Sequence, residues 1–220
     1  MSRYTLVIGN KNYSSWSLRA WLLMKHAGIP FEEVRIPLYV AGSKESLRKY
    51  APSGKVPVLL DGGLAVWDSL AIAEYLAERH PDQHLWPQGH AERAVARSIS
   101  AEMHSGFTPL RTNMCMNCRG SFPGVGRTVE VAADIEHIQR MWTDCRERFG
   151  AAGPFLFGDF SIADAMYAPV VLRFRTYAVQ LTPVARQYAD AVLRLPALQD
   201  WVAAAKAETE VIPAFEPAIP

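Results

Sequence analysis

From Tyr4 to Ile8 the chain reads Tyr-Thr-Leu-Val-Ile, a run of apolar and β-branched residues that predicts a short buried strand. After a polar interval, Leu18, Ala20, Trp21, Leu22, Leu23 and Met24 make a largely apolar helix beginning near Ser17, and Gly28 followed by Pro30 predicts its end. Phe31, Val34 and Ile36 mark a second strand over residues 31 to 37. Strand, helix and strand form a βαβ unit with an expected right-handed crossover. Ser43 to Tyr50 predicts a short helix. Val56 to Leu60 and Leu64 to Trp67 predict two strands joined by a turn at Asp61-Gly62-Gly63, with Pro57 tolerated at the head of the first. Asp68-Ser69 then opens a helix in which Leu70, Ile72, Ala73, Tyr75 and Leu76 recur at helical spacing up to Arg79. The first eighty residues therefore read βαβ-α-ββα.

The stretch from His80 to Gly89 has two prolines and no sustained period, which predicts a linker. Beyond it the patterns are helical, over about 90 to 118, 127 to 149, 161 to 177, 183 to 194 and 196 to 206. The expected division is 1–80 for the strand-bearing domain, 81–90 for the linker and 91–220 for an all-helical domain, so the fold class is α/β plus all-α. Ser161 with Asp164 three residues on predicts a capping box, with Phe160 placed to staple onto Ala165. The tail from Val211 to Pro220, with prolines at 213, 217 and 220, is expected to be extended and to wrap the surface.

Composition narrows the partners. With 23 basic and 22 acidic residues the net charge is +1, and no block of like charge points to nucleic acid or an anionic membrane. No window approaches the ~18 uninterrupted apolar residues of a membrane span, and the N-terminus lacks a secretory pattern, so a cytoplasmic protein is expected. Cys115, Cys118 and Cys145 are too few for a disulfide framework. Cys115-Met116-Asn117-Cys118 has CxxC spacing, but it falls late in a predicted helix and lacks two further metal ligands, so packing is its expected role.

The stretch that offers chemistry is Asn10-Lys11-Asn12-Tyr13-Ser14-Ser15-Trp16-Ser17-Leu18-Arg19. Serine hydroxyls at a helix start add movable donors to unpaired backbone N–H groups and a positive dipole end, a combination suited to an anion such as a thiolate or carboxylate. Lys44, Arg48 and Lys49 read either as a solvated helix face or as ligand contacts.

The order of elements and four motifs resemble the cytosolic glutathione transferases over almost the whole chain. The motifs are the Ser14-Ser15 loop, Gly54-Lys55-Val56-Pro57-Val58-Leu59, Asp68-Ser69-Leu70-Ala71-Ile72 and Ser161-Ile162-Ala163-Asp164. The resemblance implies a thioredoxin-like N-terminal domain that holds glutathione as co-substrate, and a helical C-terminal domain that forms most of the pocket for a small hydrophobic electrophile. It implies a cis Val56-Pro57 bond with Val56 pairing the cysteinyl backbone, Ser69 and Asp68 at the γ-glutamyl end, and Lys55 with Lys44 or Lys49 at the glycyl carboxylate. A serine hydroxyl then donates to the thiolate: Ser14 is favoured, Ser15 is the reserve, Ser17 is a helix cap, and Tyr13 is a further alternative. His104 and Arg111 border the electrophile site. The Ser14-Ser15 pair with Arg19 is similar to serine-type members, particularly zeta, which include glutathione-dependent maleylacetoacetate isomerases; Trp16 stands where zeta sequences carry cysteine. The implied activity is conjugation of glutathione to small electrophiles by a homodimer, the alternatives being cis–trans isomerisation or a non-catalytic binding role.

Overall fold

A computed structural model describes residues 4–217. Strand β1 (Tyr4–Ile8) pairs in parallel with β2 (Phe31–Arg35) on one side and antiparallel with β3 (Val58–Asp61) on the other, and β4 (Leu64–Trp67) closes the sheet in the order β2-β1-β3-β4. The crossover is helix α1 (Ser15–His26), the short helix α2 (Ser43–Arg48) follows β2, and α3 (Ser69–Arg79) follows β4. This is the thioredoxin-like βαβ-α-ββα order that the sequence predicts. The β3–β4 hairpin turns on Gly62-Gly63, where Gly62 takes φ 60°, a value glycine reaches without steric cost.

Helices α4 (His90–Ser105), α5 (Thr108–Asn113), α6 (Val129–Phe149), α7 (Ile162–Thr176), α8 (Pro183–Leu193) and α9 (Pro196–Ala207) complete the chain, making nine α-helices among the described residues. Helix α7 is buried along almost its whole length, in keeping with an apolar sequence that shows no polar face, and it packs against α1, α4 and α8. Helix α1 is thereby held between the sheet and α7. Trp142 centres the helical core, its ring lying 4.8 Å from Tyr188, 5.5 Å from Phe174 and 5.8 Å from Tyr167.

Two sequence expectations change. The predicted helix over 90 to 118 is two helices, because Gly106 is extended and Phe107 takes a left-handed φ of 54° before α5 starts at Thr108-Pro109. Helix α5 ends at Asn113, so Cys115 and Cys118 lie in an irregular segment and not in a helix. The capping box forms, with the Asp164 carboxylate accepting from Ser161 N at 2.8 Å, and the Phe160 ring lies 4.0 Å from that of His26 while packing against the core cluster that includes Ala165. The interval after α3, expected as a linker, is held against its neighbours: Ile162 N donates to the Leu85 carbonyl at 2.8 Å, and Trp86 Nε1 donates to Glu74 at 3.0 Å.

Candidate active site at the start of α1

The chain reverses between β1 and α1 around two buried asparagines. The Asn10 carbonyl accepts from Ser14 N at 2.9 Å, and its side-chain oxygen accepts from Leu38 N at 2.8 Å. Asn12 donates to Asn117 Oδ1 at 3.1 Å and accepts from Arg119 N at 3.0 Å, which fastens this loop to the segment that follows α5. The cap of α1 is Ser14 and not Ser17: Ser14 Oγ accepts from Ser17 N at 3.3 Å and donates to Ser17 Oγ at 2.7 Å. Ser17 Oγ also accepts from Gly9 N at 3.1 Å. One residue on, Ser15 Oγ accepts from Arg173 Nη2 at 3.3 Å.

Tyr13 has no donor to spare. Its hydroxyl donates to Glu216 while accepting from Arg119 Nη2 at 2.9 Å and from Ile212 N at 3.4 Å. Burial first, and the Glu216 carboxylate next, raise its phenol above the ordinary range. Glu216 and Ile212 belong to the tail, which lies across the loop over its described part but is not extended throughout, because Pro213–Phe215 forms a 3-10 turn; residues 218–220 fall outside the described residues. Glu208 accepts from Lys11 N at 2.7 Å and Asn12 N at 3.0 Å, and Arg119 donates to the Glu208 and Glu210 carbonyls.

The remaining predicted residues form the sheet side of the site. Val56-Pro57 is cis and leads into β3. Lys55 and Lys44 are exposed; Gly54, at φ 58°, puts their turn and α2 at one corner, because a Cβ there would stand 3.9 Å from the Lys44 carbonyl. Asp68 caps α3 through Leu70 N at 2.9 Å and Ala71 N at 3.3 Å. Its φ of 77° is an outlier for a non-glycine residue, of the kind that clusters at functional sites. Ser69 Oγ, the first hydroxyl of α3, is buried with no partner, an orphan that suits a ligand atom.

These two halves meet through Trp16. Its ring is 5.3 Å from His104, whose Nε2 is 3.2 Å from the Asp68 carboxylate. Arg19 lies 4.3 Å over the Trp16 ring and Arg111 5.5 Å from it. Trp16 is therefore the wall between the helix start and α4–α5. Arg19 and Arg173 are both buried, and burial, joined by repulsion from Arg173 and Arg111, lowers Arg19 to about 9. Burial likewise lowers Arg173 to about 10. Arg19 Nε and Nη1 and Arg173 Nη1 have no partner. The corner is strongly electropositive behind the serines.

Sequence reasoning missed Arg173, Arg119, Asn117 and the two tail glutamates. An arginine inside the apolar run 162 to 174 is a signal that finds Arg173; the others depend on contacts remote in sequence. Burial raises both Cys118 and Cys145 to about 12, so neither is a reactive thiolate, and no group of metal-binding side chains occurs among the described residues.

A thioredoxin-like domain carrying a serine-capped helix start, a cis Val-Pro bond and an orphan serine hydroxyl, set against a helical domain, defines a glutathione-transferase-type architecture. Residues 13–79 match the family model for the glutathione S-transferase N-terminal domain, and residues 128–204 match that for its C-terminal domain. The chain is 32% identical over 177 residues to maleylacetoacetate isomerase of Rattus norvegicus, covering 77% of each chain. It is 33% identical over 180 residues to that of Dictyostelium discoideum, covering 77% of this chain and 78% of the other. The chain belongs to the glutathione S-transferase family. Among solved structures its fold resembles a Burkholderia glutathione transferase homologue with bound glutathione, at TM-score 0.71 and 23% identity over 94% of this chain and 100% of that one. It resembles equally the maleyl pyruvate isomerase described as a bacterial zeta-class member, at TM-score 0.71 and 22% identity, with the same coverage.

Proposed function

We propose that this protein binds glutathione between the start of α1 and the cis-proline corner and uses its thiolate against a small electrophile. The observation that carries the reading is the orphan hydroxyl of buried Ser69 at one helix start, joined through Asp68, His104 and Trp16 to the serines at the other. Ser69 and Asp68 then hold the γ-glutamyl end, Val56 and Pro57 the cysteinyl backbone, and Lys55 and Lys44 the glycyl carboxylate. Ser14 or Ser15 meets the sulfur. A free thiol titrates near 8.5, and each unit of depression is about 1.36 kcal/mol, within reach of a hydroxyl donor plus a helix N-terminus. The thiolate attacks an electrophilic carbon, a C–S bond forms, and the leaving group departs with its electron pair.

The relatives named maleylacetoacetate isomerase, matched over 77% of this chain, favour a second reading. There the thiolate adds to a conjugated cis alkene, rotation follows about the bond now single, and elimination returns glutathione with the trans alkene. The proposal keeps 1–80 as the glutathione domain, 81–90 as linker and 91–220 as the electrophile side, in a cytoplasmic homodimer. No described helix is long and apolar enough to cross a membrane. Parallel incubations with an aryl halide and with maleylacetoacetate separate the readings. Loss of glutathione thiol with the halide marks conjugation, turnover of maleylacetoacetate without thiol loss marks isomerisation, and turnover of neither contradicts both.

A further inference from the structure

The segment that follows α9 fastens two loops of the N-terminal domain at once. Glu208 spreads its carboxylate over the backbone N–H groups of Lys11 and Asn12, at 2.7 and 3.0 Å, so two amides of the loop before Ser14 have their acceptor in the tail. Arg119 donates to the Glu208 and Glu210 carbonyls, and Arg35 at the end of β2 pairs with Glu208 at 3.4 Å and with Glu210 at 2.8 Å. Farther on, Ile212 N donates to the Tyr13 hydroxyl at 3.4 Å, and the Glu216 carboxylate accepts from that hydroxyl and, on both oxygens, from Asn117 Nδ2 at 3.0 Å.

Between these two carboxylate anchors stands Phe215, whose ring centre lies 6.0 Å from that of Tyr13 and 5.2 Å, edge-on, from that of Tyr39. Tyr13 immediately precedes Ser14, while Tyr39 belongs to the loop that leads through Gly42 into α2, where Lys44 is the second residue. Tyr39 is 70% exposed and takes a left-handed φ of 59°, a costly backbone state for an aromatic residue that needs neighbours to hold it, and Phe215 is one of them. One short stretch of tail therefore grips the thiol end and the glycyl end of the glutathione site.

The grip is easily loosened. Ile212 is the one buried residue between Glu208 and Pro217, Val211 is 61% exposed, and a single 3-10 turn over Pro213–Phe215 is the only regular structure of that stretch. Segments with few buried apolar contacts open locally at a small fraction of the cost of global unfolding. With the tail lifted, the amides of Lys11 and Asn12 lose their acceptor and Tyr39 loses its ring partner. A ligand that spans both loops then has to order them itself, a cost that the closed tail removes in advance.

We propose that residues 208–217 are a strap whose closure is coupled to glutathione: the closed strap presets both ends of the site and slows release of glutathione, and bound glutathione in turn holds the strap shut. The coupling rests on the glutathione reading above and adds a conformational step to it. It is reciprocal, so the factor by which closure raises affinity is the factor by which the ligand favours closure.

The test uses the full chain and S-methylglutathione, which has no ionisable thiol and so reports binding alone. Hydrogen exchange is followed at the amides of 208–216, the Ile212 N–H among them, and affinity is measured by calorimetry. In the wild type, saturating S-methylglutathione should slow exchange across the strap about fivefold. In the double variant Phe215→Ala, Glu216→Ala the strap amides should exchange as in an open chain, and S-methylglutathione should bind about fivefold more weakly, chiefly through faster dissociation. Phe215→Tyr keeps the ring and should stay within about twofold of wild type in both readouts. Strap exchange indifferent to saturating ligand overturns the proposal, as does a folded double variant with an open strap and wild-type affinity; if the double variant does not fold, the wild-type exchange result decides alone. Failure of the wild type to bind S-methylglutathione removes the glutathione reading and the coupling with it, an outcome distinct from binding without coupling.

Discussion

Replacing Ser14 by alanine isolates the capping role from the chemical one. The hydroxyl serves two bonds, one accepted from Ser17 N at 3.3 Å and one donated to Ser17 Oγ at 2.7 Å, in a residue only 6% exposed. Loss of a serine cap costs about 1 kcal/mol, with the buried Ser17 N–H left unpaired. Loss of the second bond costs roughly another 0.5–1 kcal/mol, softened because Ser17 Oγ still accepts from Gly9 N. The sum is about 2 kcal/mol, which for a chain of this size corresponds to a fall in melting temperature of roughly 4–8 °C. Urea unfolding of the wild type, Ser14→Ala, Ser17→Ala and the double variant measures this as a shift in midpoint at constant slope, and the cycle should give a coupling of about 1 kcal/mol. A Ser14→Ala variant within about 0.5 kcal/mol of wild type refutes the assignment of Ser14 as the cap, and strict additivity with Ser17→Ala refutes the bond between the two hydroxyls.

Other predictions follow from buried groups elsewhere. Burial raises the Asp164 carboxyl from 3.8 to about 6, against the lowering effect of its bonds from Leu156 and Ser161. The folded state therefore holds this proton more tightly than the unfolded chain, so the contribution is full below about pH 4 and is lost as pH rises through about 6. Two units amount to about 3 kcal/mol, so between pH 4 and 7 the wild type should lose that much more stability than Asp164→Asn, and parallel profiles would count against it. Ser69→Ala removes a hydroxyl with no partner in the protein, so its unfolding midpoint should match wild type while calorimetry gives about tenfold weaker glutathione binding. Glu216→Ala breaks the latch from Tyr13 and Asn117; the tail should be cut sooner in limited proteolysis and the Tyr13 phenol should titrate at lower pH.

Local signals were readable wherever one short stretch sets its own geometry. The Ser161–Asp164 spacing, the Gly62-Gly63 turn and the Asp68 cap each lie within four residues of their partners, and each forms. The register of β1 against β2 and β3 follows from the apolar strand in the middle. The helix expected over 90 to 118 breaks at Gly106 and Phe107, just before Pro109, and the left-handed backbone of Phe107 is not written in its own residue type. The serine loop could be read as a candidate anion site, but the contacts within it could not. Those contacts involve Gly9 N, eight residues before Ser17, and Arg173, 158 positions from Ser15. Likewise Tyr13 loses its availability to Glu216, 203 positions away, and Arg119 adds a second claim on the same oxygen.

Trp16 packs against Arg19, Arg111 and His104 and joins the two helix starts into one site. The thiol of glutathione bound there should ionise more readily than in water. Titration of thiolate absorbance for the wild-type complex at saturating glutathione tests this most directly: the account predicts a midpoint at least about one unit below the ordinary value near 8.5, and a midpoint equal to that of free glutathione would contradict it.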